Sequence, residues 1–343
     1  MHVTPRFLKH SHESVINDVQ FDFYGKRIAT VSHDRSMKIW DIDSHGDWYM
    51  SADCRFNNFV FTRLSWAHPE FGQIIVSCSF SVVCVWEEQE CELRDDFRCS
   101  TSWSVKFQIS DSRFPIVDVK FAPQHLGLRF ASVSQDGIIR VYEPSDASNL
   151  TYWPLLASFD PFQGHELRCL SWNSTFQDLP SILIGSSIGA CIWTVPGTIL
   201  PIQSHKDCLA CVWAPNNGRS RQTLAAAFRG FGIRIYSFER GHSNDISFVD
   251  MPCNDSLSIY FNVFGNSLSV AEDNGNDQDC ISIYRKNVSG EWKKVQLVFS
   301  DDNEEITSAD AKQGIRVLSI LNAVSSSSLL ESKLVDDQSK SKK

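Results

Sequence analysis

The sequence predicts an all-β chain folded as a six-bladed β-propeller, and three observations predict it. The first is a unit, FDFYGKRIATVSHDRSMKIW at 21–40, that recurs five more times along 343 residues. Each copy opens on one aromatic residue (Phe21, Trp66, Phe121, Trp172, Trp213, Phe261) and ends on another (Trp40, Trp86, Tyr142, Trp193, Tyr236, Tyr284), 19 to 23 residues later. The second is alternation. Two residues ahead of each opening aromatic stands an apolar side chain, Val19, Leu64, Val119, Leu170, Cys211 or Ile259, the spacing at which strand side chains share a face. The third is the texture of the runs, which are short, β-branched and bounded by turn residues, so strand–turn–strand rather than helix. One small sheet cannot bury both its faces, whereas radial stacking of six such sheets buries them and leaves only short edges. Inner runs such as Ile74-Ile75-Val76, Leu224 to Ala227 and Ile233 are accordingly continuously apolar.

Taken in order, residues 1–14 form an N-terminal edge segment, 15–300 the propeller and 301–343 a tail. In the first segment Val3 and Phe7 are candidates for a short edge strand, limited by Pro5. Blade one runs to about Trp48 and blade two to about Glu90, followed by a polar connection from Cys91 to Trp103. Blade three ends at Tyr142 ahead of an exposed loop from Pro144, and blades four and five end at Trp193 and Tyr236. A polar loop from Arg240 to Ser258 leads into blade six. An acidic insertion from Glu272 to Asp279 lengthens its hairpin, and Trp292 to Phe299 reads as its outer strand. The tail is acidic, then rich in Ser and Lys, a disordered composition. Within it Val317, Ile320, Leu321 and Val324 keep helical spacing.

The repeat recurs every 41 to 56 residues, somewhat above the roughly 40–45 of a WD-repeat blade, with loop insertions making up the excess. Blade one carries the fullest WD signature: His12 upstream, Thr30 or Ser32 in the second strand, Asp34 in the turn, and Trp40-Asp41. In WD repeats such residues form a buried hydrogen-bonded chain that pins the turn to the sheet. Partial copies are His165 with Trp193, His205 ahead of Trp213, and the turn Asp136-Gly137, where Gly supplies positive φ. Blade two has Phe80-Ser81 at the turn and blade five Arg229-Gly230. These residue types resemble catalytic sets, but their place in the repeat assigns them a structural role.

Composition narrows the function. A formal charge of −9, from 32 basic and 41 acidic residues, argues against direct nucleic-acid binding. No run approaches eighteen apolar residues, so membrane insertion is not expected. Eleven cysteines, an odd number without framework spacing, suit reduced thiols. Cys208 and Cys211 make a lone CxxC without the second ligand pair of a structural zinc site, and Cys211 falls on a repeat-equivalent inward position, so both read as core. No GxSxG, HExxH or P-loop is present. No catalytic residue, metal or cofactor is expected, and the chain reads as no enzyme.

The inter-strand segments are more specific. Trp66-Ala-His-Pro-Glu-Phe-Gly-Gln73, Phe121-Ala-Pro-Gln-His-Leu-Gly-Leu128, Trp213-Ala-Pro-Asn-Asn-Gly-Arg219 and Phe21-Asp-Phe-Tyr-Gly-Lys-Arg27 resemble the first-turn segments of the SEH-type WD-repeat nucleoporins. Ile283 to Trp292 resembles the end of their last blade, and the likeness runs from about residue 10 to 300. It implies a six-bladed propeller that its own chain leaves open. A helical coatomer-like nucleoporin completes it by inserting a seventh blade, with Val3, Phe7, Phe261 and Tyr284 as candidate partner-edge residues. It further implies a scaffold role in the Y-shaped coat complex of the nuclear pore at the nuclear envelope, alongside other nucleoporins of that complex and in support of nucleocytoplasmic transport. A second setting is a vacuolar or lysosomal complex that regulates nutrient signalling. The chain departs from the family pattern at the blade-two turn, which lacks Asp, and from Met251 to Ser267. The alternatives are the sister WD-repeat subunit of the outer secretory-vesicle coat and a ubiquitin-ligase substrate receptor. The latter docks through Trp-Asp-x-Arg, whereas Trp40-Asp41 is followed here by Ile42-Asp43.

Overall fold

Among the residues described by a computed structural model (11–89, 101–195, 197–204, 206–216, 218–239, 246–272, 280–287 and 289–299), the short, turn-bounded runs form six antiparallel sheets of four strands each. Val3, Phe7, His205 and the tail 301–343 lie outside the described residues. Blade one holds β1 (Ile16–Phe21), β2 (Arg27–Ser32), β3 (Met37–Ile42) and β4 (Trp48–Cys54). Blade two holds β5 (Arg63–Trp66), β6 (Ile74–Ser79), β7 (Val82–Gln89) and β8 (Ser102–Ile109). Blade three holds β9 (Ile116–Phe121), β10 (Phe130–Ser134), β11 (Ile139–Tyr142) and β12 (Leu155–Phe159). Blade four holds β13 (Leu167–Trp172), β14 (Ser181–Ser186), β15 (Gly189–Thr194) and β16 (Thr198–Ser204). Blade five holds β17 (Cys208–Trp213), β18 (Arg221–Phe228), β19 (Gly232–Glu239) and β20 (Ser247–Met251). Blade six holds β21 (Ser256–Phe261), β22 (Ser267–Glu272), β23 (Cys280–Lys286) and β24 (Trp292–Phe299). Two single 3₁₀ turns, Pro69–Phe71 and Gln124–Leu126, interrupt this pattern. Among the described residues no helix is long and apolar enough to cross a membrane.

The aromatic landmarks of the repeat fall into register. Every first strand ends on its opening aromatic, which pairs across the second strand with the closing aromatic of the third. The stacks are Phe21–Ile28–Trp40, Trp66–Ile75–Trp86 and Phe121–Phe130–Tyr142 in blades one to three. Trp172–Ile182–Trp193, Trp213–Leu224–Tyr236 and Phe261–Leu268–Tyr284 follow in blades four to six. Paired residues share a face of the sheet, so each stack is a three-rung patch aimed at the preceding blade. The opposite face of the second strand carries Ala29, Val76, Ala131, Leu183 or Ala225 in blades one to five, buried against the next blade.

The blade ends expected from sequence are corrected by the outer strands. Blade one runs past Trp48, blade two past Glu90 and blades three to five past their closing aromatics, because β4, β8, β12, β16 and β20 complete them. The stretch Arg240 to Ser258, expected as a loop, contains β20, and the connection ending at Trp103 already contains the start of β8. Leu155–Phe159 and Ser247–Met251 are largely exposed. These two rim strands bury little, so burial does not set the pattern of their residues as it does in the inner strands.

Candidate functional site

Blade one assembles its signature residues into one chain. Trp40 Nε1 donates to Thr30 Oγ1 at 3.1 Å, Thr30 Oγ1 lies 2.7 Å from His12 Nε2, and His12 Nδ1 lies 2.8 Å from Asp34 Oδ2. An ionised carboxylate only accepts, so His12 Nδ1 donates to Asp34. Asp34 also accepts from the Ser36 hydroxyl and amide at 2.6 and 2.9 Å and from the Glu13 amide at 3.1 Å. Burial alone would raise its pKa, but the bonds from Ser36 and His12 outweigh that and hold it well below the usual carboxylate range. Ser32 works alongside, donating from Oγ to the Ser14 carbonyl at 3.2 Å and accepting from the Asp34 amide at 3.2 Å.

The other blades pin their turns differently. In blade three Asp136 takes a hydrogen bond from Ser134, with Arg140 reaching Asp136 Oδ2 and Ser134 Oγ at 2.7 Å each, so an arginine on β11 stands in for the histidine. Gly137 in that turn has φ of +83°, as the Asp-Gly pair implies. In blade two Trp86 Nε1 donates to Ser77 Oγ at 2.8 Å without any carboxylate. The expected pairing of His165 with Trp193 is corrected. His165 is exposed, and Trp193 stacks on Phe159 at 3.9 Å and 11°. The turn between β14 and β15, Ser187-Ile188, offers no carboxylate to hold an imidazole, and Ser186 Oγ bonds the Gly189 carbonyl at 3.1 Å instead.

The first strands of all six blades line a central channel of about 800 Å³. Several of its polar side chains join one blade to the next. Asp18 accepts from the Leu64 amide at 3.0 Å and Asp118 from the Leu170 amide at 3.2 Å, each reaching the next blade. Ser65 and Ser171 do the same for the amides of Phe121 and Trp213, at 3.0 and 2.9 Å. Burial pushes the Asp118 carboxyl up, and it pulls the Arg63 and Lys120 cations down, but Asp18 and Asp118 more than offset that and keep both cations above their usual values. With Asp22 and Arg168 also on its wall, the channel is a balanced set of three anions and three cations rather than a poised acid–base pair. Among the described residues no group of three or more His, Cys, Asp or Glu is arranged to hold a metal ion.

Apolar clusters seal the joints between successive blades. One cluster joins blades one and two around Ile39, Leu64 and Trp86, and another joins two and three around Val85, Val119 and Phe130. Ile139 and Ile182 meet between three and four, Leu183 and Leu224 between four and five, and Ile233 and Leu268 between five and six. The remaining cluster lies on the face of blade one that looks toward blade six. It comprises Ile16, Val19, Ile28 and Trp40, with Phe21 and Trp48 packed on it, and includes no described residue of blade six. Phe261 and Tyr284, expected at a free edge, are buried in the joint between blades five and six, with Phe261 against Trp292 at 6.0 Å. The strand period explains the correction, because an aromatic stack always faces the preceding blade. The residues of blade six on its other face are Tyr260, Ser269 and Ile283, in mutual register, followed by Ser258, Ala271 and Ile281. Counting one residue past Leu268 would have found them.

The comparisons with known proteins agree with this architecture. The WD domain, G-beta repeat model matches residues 4–41. The chain is 32% identical to nucleoporin SEH1 of Homo sapiens, over 84% of this chain and 86% of that protein. It is 31% identical to nucleoporin SEH1 of Xenopus tropicalis over 94% of both, and 31% identical to that of Danio rerio over 84% and 86%. A WD-repeat propeller with this identity over most of its length belongs to the SEH1 nucleoporin family.

Proposed function

We propose that this chain serves the Y-shaped coat complex of the nuclear pore by accepting a strand blade from a helical coatomer-like nucleoporin between blades six and one. As an SEH1-family nucleoporin it is a scaffold protein, not an enzyme. The observation that carries the finer reading is the contrast between joints. Five hold an apolar cluster drawn from both neighbours, while the cluster on blade one's remaining face holds no described residue of blade six. Blade six adds to the contrast. It presents Ser269 where other blades present Ala29, Val76, Ala131, Leu183 or Ala225, a weak match for the aromatic stack of blade one. A seventh blade with its own apolar faces would cover both surfaces and satisfy strand edges that are otherwise a liability. A part in the vacuolar or lysosomal nutrient-signalling complex belongs to the same proposal, since one docking geometry would serve both assemblies.

The test is co-expression of the full chain with the helical nucleoporin. A stoichiometric complex and a raised unfolding midpoint are expected. Ile283→Asp, which puts a charge on the half-buried outward face of blade six, should weaken the complex at least tenfold while leaving the spectrum of the isolated chain unchanged. A chain that is monomeric and equally stable with and without the partner overturns the inserted blade. Retention of vesicle-coat partners in its place favours the sister assembly.

A further inference from the structure

Three free thiols, Cys169 on β13 and Cys208 and Cys211 on β17, meet where blade four packs against blade five. Gly185 on β14 pairs with Cys169 and sets their spacing. A Cβ at that position would stand 2.5 Å from Cys169 Sγ and 2.7 Å from Cys208 Sγ. The two sulfurs therefore flank one point and occupy the volume that a side chain at 185 would need. Each donor thiol has one proton and more than one acceptor in reach, with Ala210 O 3.6 Å from Cys208 Sγ and Leu183 O 3.8 Å from Cys211 Sγ. Hydrogen bonds from Cys208 and Cys211, joined by the Gly185 amide, draw the Cys169 pKa well below the usual thiol value. The contact with Cys169 raises Cys208, and burial together with that contact raises Cys211.

Access separates this cluster from the other buried cysteines. Cys169 and Cys211 line the central channel, whose cavity of about 800 Å³ admits small solutes. Cys84 and Cys191 are buried, and desolvation pushes both thiols up to about 12. Since the thiolate is the nucleophile, reactivity should concentrate at Cys169.

We propose that these thiols form an oxidation site on the channel wall, where a small peroxide converts Cys169 and Cys208 to a disulfide tying blade four to blade five. The Cys169 thiolate attacks one peroxide oxygen, the O–O bond breaks, and the departing hydroxide leaves as water with the proton that Cys169 released. The resulting sulfenic acid is attacked by the Cys208 sulfur. The S–O bond breaks, the S–S bond forms, and the oxygen departs as a second water with the Cys208 proton. Two thiols and one peroxide give one disulfide and two waters, the two electrons lost by sulfur reducing the peroxide.

The experiment treats the full chain with hydrogen peroxide, blocks the remaining thiols with an alkylating agent, and maps the unreduced digest by mass spectrometry. A peptide linking Cys169 to Cys208 is expected. It should be lost in Cys169→Ser, retained in Cys211→Ser and reversed by dithiothreitol. Should Cys169→Ser fail to fold, the wild-type chain decides alone, with Cys169 oxidised at least tenfold faster than Cys191. Recovery of Cys169 and Cys208 as free thiols, linkage of Cys169 to a different cysteine, or oxidation of Cys169 no faster than Cys191 overturns the proposal.

Discussion

Blade one has a neighbour's side chains packed against one face and its own hydrogen bonds strung along the other. Toward blade two, Ala29, Val31, Met37 and Ile39 enter a cluster with Leu64, Ile75, Trp86 and Trp103. Arg27 binds that joint at its edge. It bonds Asp41 at 2.7 Å and both oxygens of Glu88 at 2.7 Å, and its guanidinium lies 5.8 and 5.6 Å from the rings of Trp66 and Trp103. Toward blade six, Thr30 and Trp40 belong to the chain that runs through His12 to Asp34, every member drawn from blade one or the segment just ahead of it. One face thus depends on burial shared between blades, and the other combines an apolar cluster of its own with polar bonds internal to the blade. Packing is non-directional and insensitive to pH, whereas a carboxylate network is directional and titrates, so the two faces should fail under different insults.

The strongest way to break the packed face is Trp86→Ala. The ring is 2% exposed and packs on Phe61 at 5.7 Å and Phe56 at 6.2 Å. Truncation opens a cavity at the joint and strands the Ser77 hydroxyl, for a loss of about 3–5 kcal/mol in urea denaturation that stays the same between pH 7 and pH 3. A loss below about 1 kcal/mol would mean the joint is not held by burial. Arg27→Ala comes next. It leaves Glu88 and Asp41 without their shared cation at side-chain exposures of only 17% each, for about 2–3 kcal/mol. Arg27→Lys should recover little of it, since a single ammonium cannot reproduce the bidentate fork or lie flat near two indoles. Full rescue by lysine would reduce the contact to simple charge pairing.

How much of this was legible in the sequence follows from which residues repeat. The aromatic pairs were readable because each blade needs a rung of the same shape at the same register, as Phe21–Ile28–Trp40 and Phe261–Leu268–Tyr284 illustrate. The positive φ of Gly137 was readable from Asp136-Gly137 for a similarly local reason. The outer strand of blade six, Trp292–Phe299, was readable, but those of blades one to five were not, because a rim strand such as Ser247–Met251 is exposed at all but its last residue and burial imposes no repeating pattern on it. Nor was the role of Arg140, which meets Asp136 across a turn and substitutes for a histidine that the pattern places elsewhere. The orientation of Phe261 and Tyr284 was recoverable in principle, but only by fixing which face of the first blade receives its neighbour. The thiol cluster was half visible: Cys208 and Cys211 stand out as a pair, while Cys169 is brought to them only by the stacking of blade four on blade five.

The polar face of blade one yields the smallest effect and the cleanest signature. Asp34 has its pKa held below the usual carboxylate value of 3.8, so the folded state binds its proton less readily than the unfolded chain does. A depressed carboxylate contributes stability that is fully present above the unfolded value and is lost as pH falls below about 3.8 toward the folded one. Protonation there removes the charge that His12 Nδ1, the Ser36 hydroxyl and the Glu13 amide point at. The expected contribution is about 1–2 kcal/mol, read as the difference between the native chain and Asp34→Asn in urea midpoints at a series of pH values. The variant should be less stable at pH 7, and the gap should narrow steadily as pH falls below about 3.8, because other carboxylates titrate in both and cancel. Parallel curves that never converge would mean that Asp34 acts through shape rather than charge. Trp86→Ala, measured in the same series, should run parallel to the native chain throughout, which separates the face held by packing from the face held by a titrating bond.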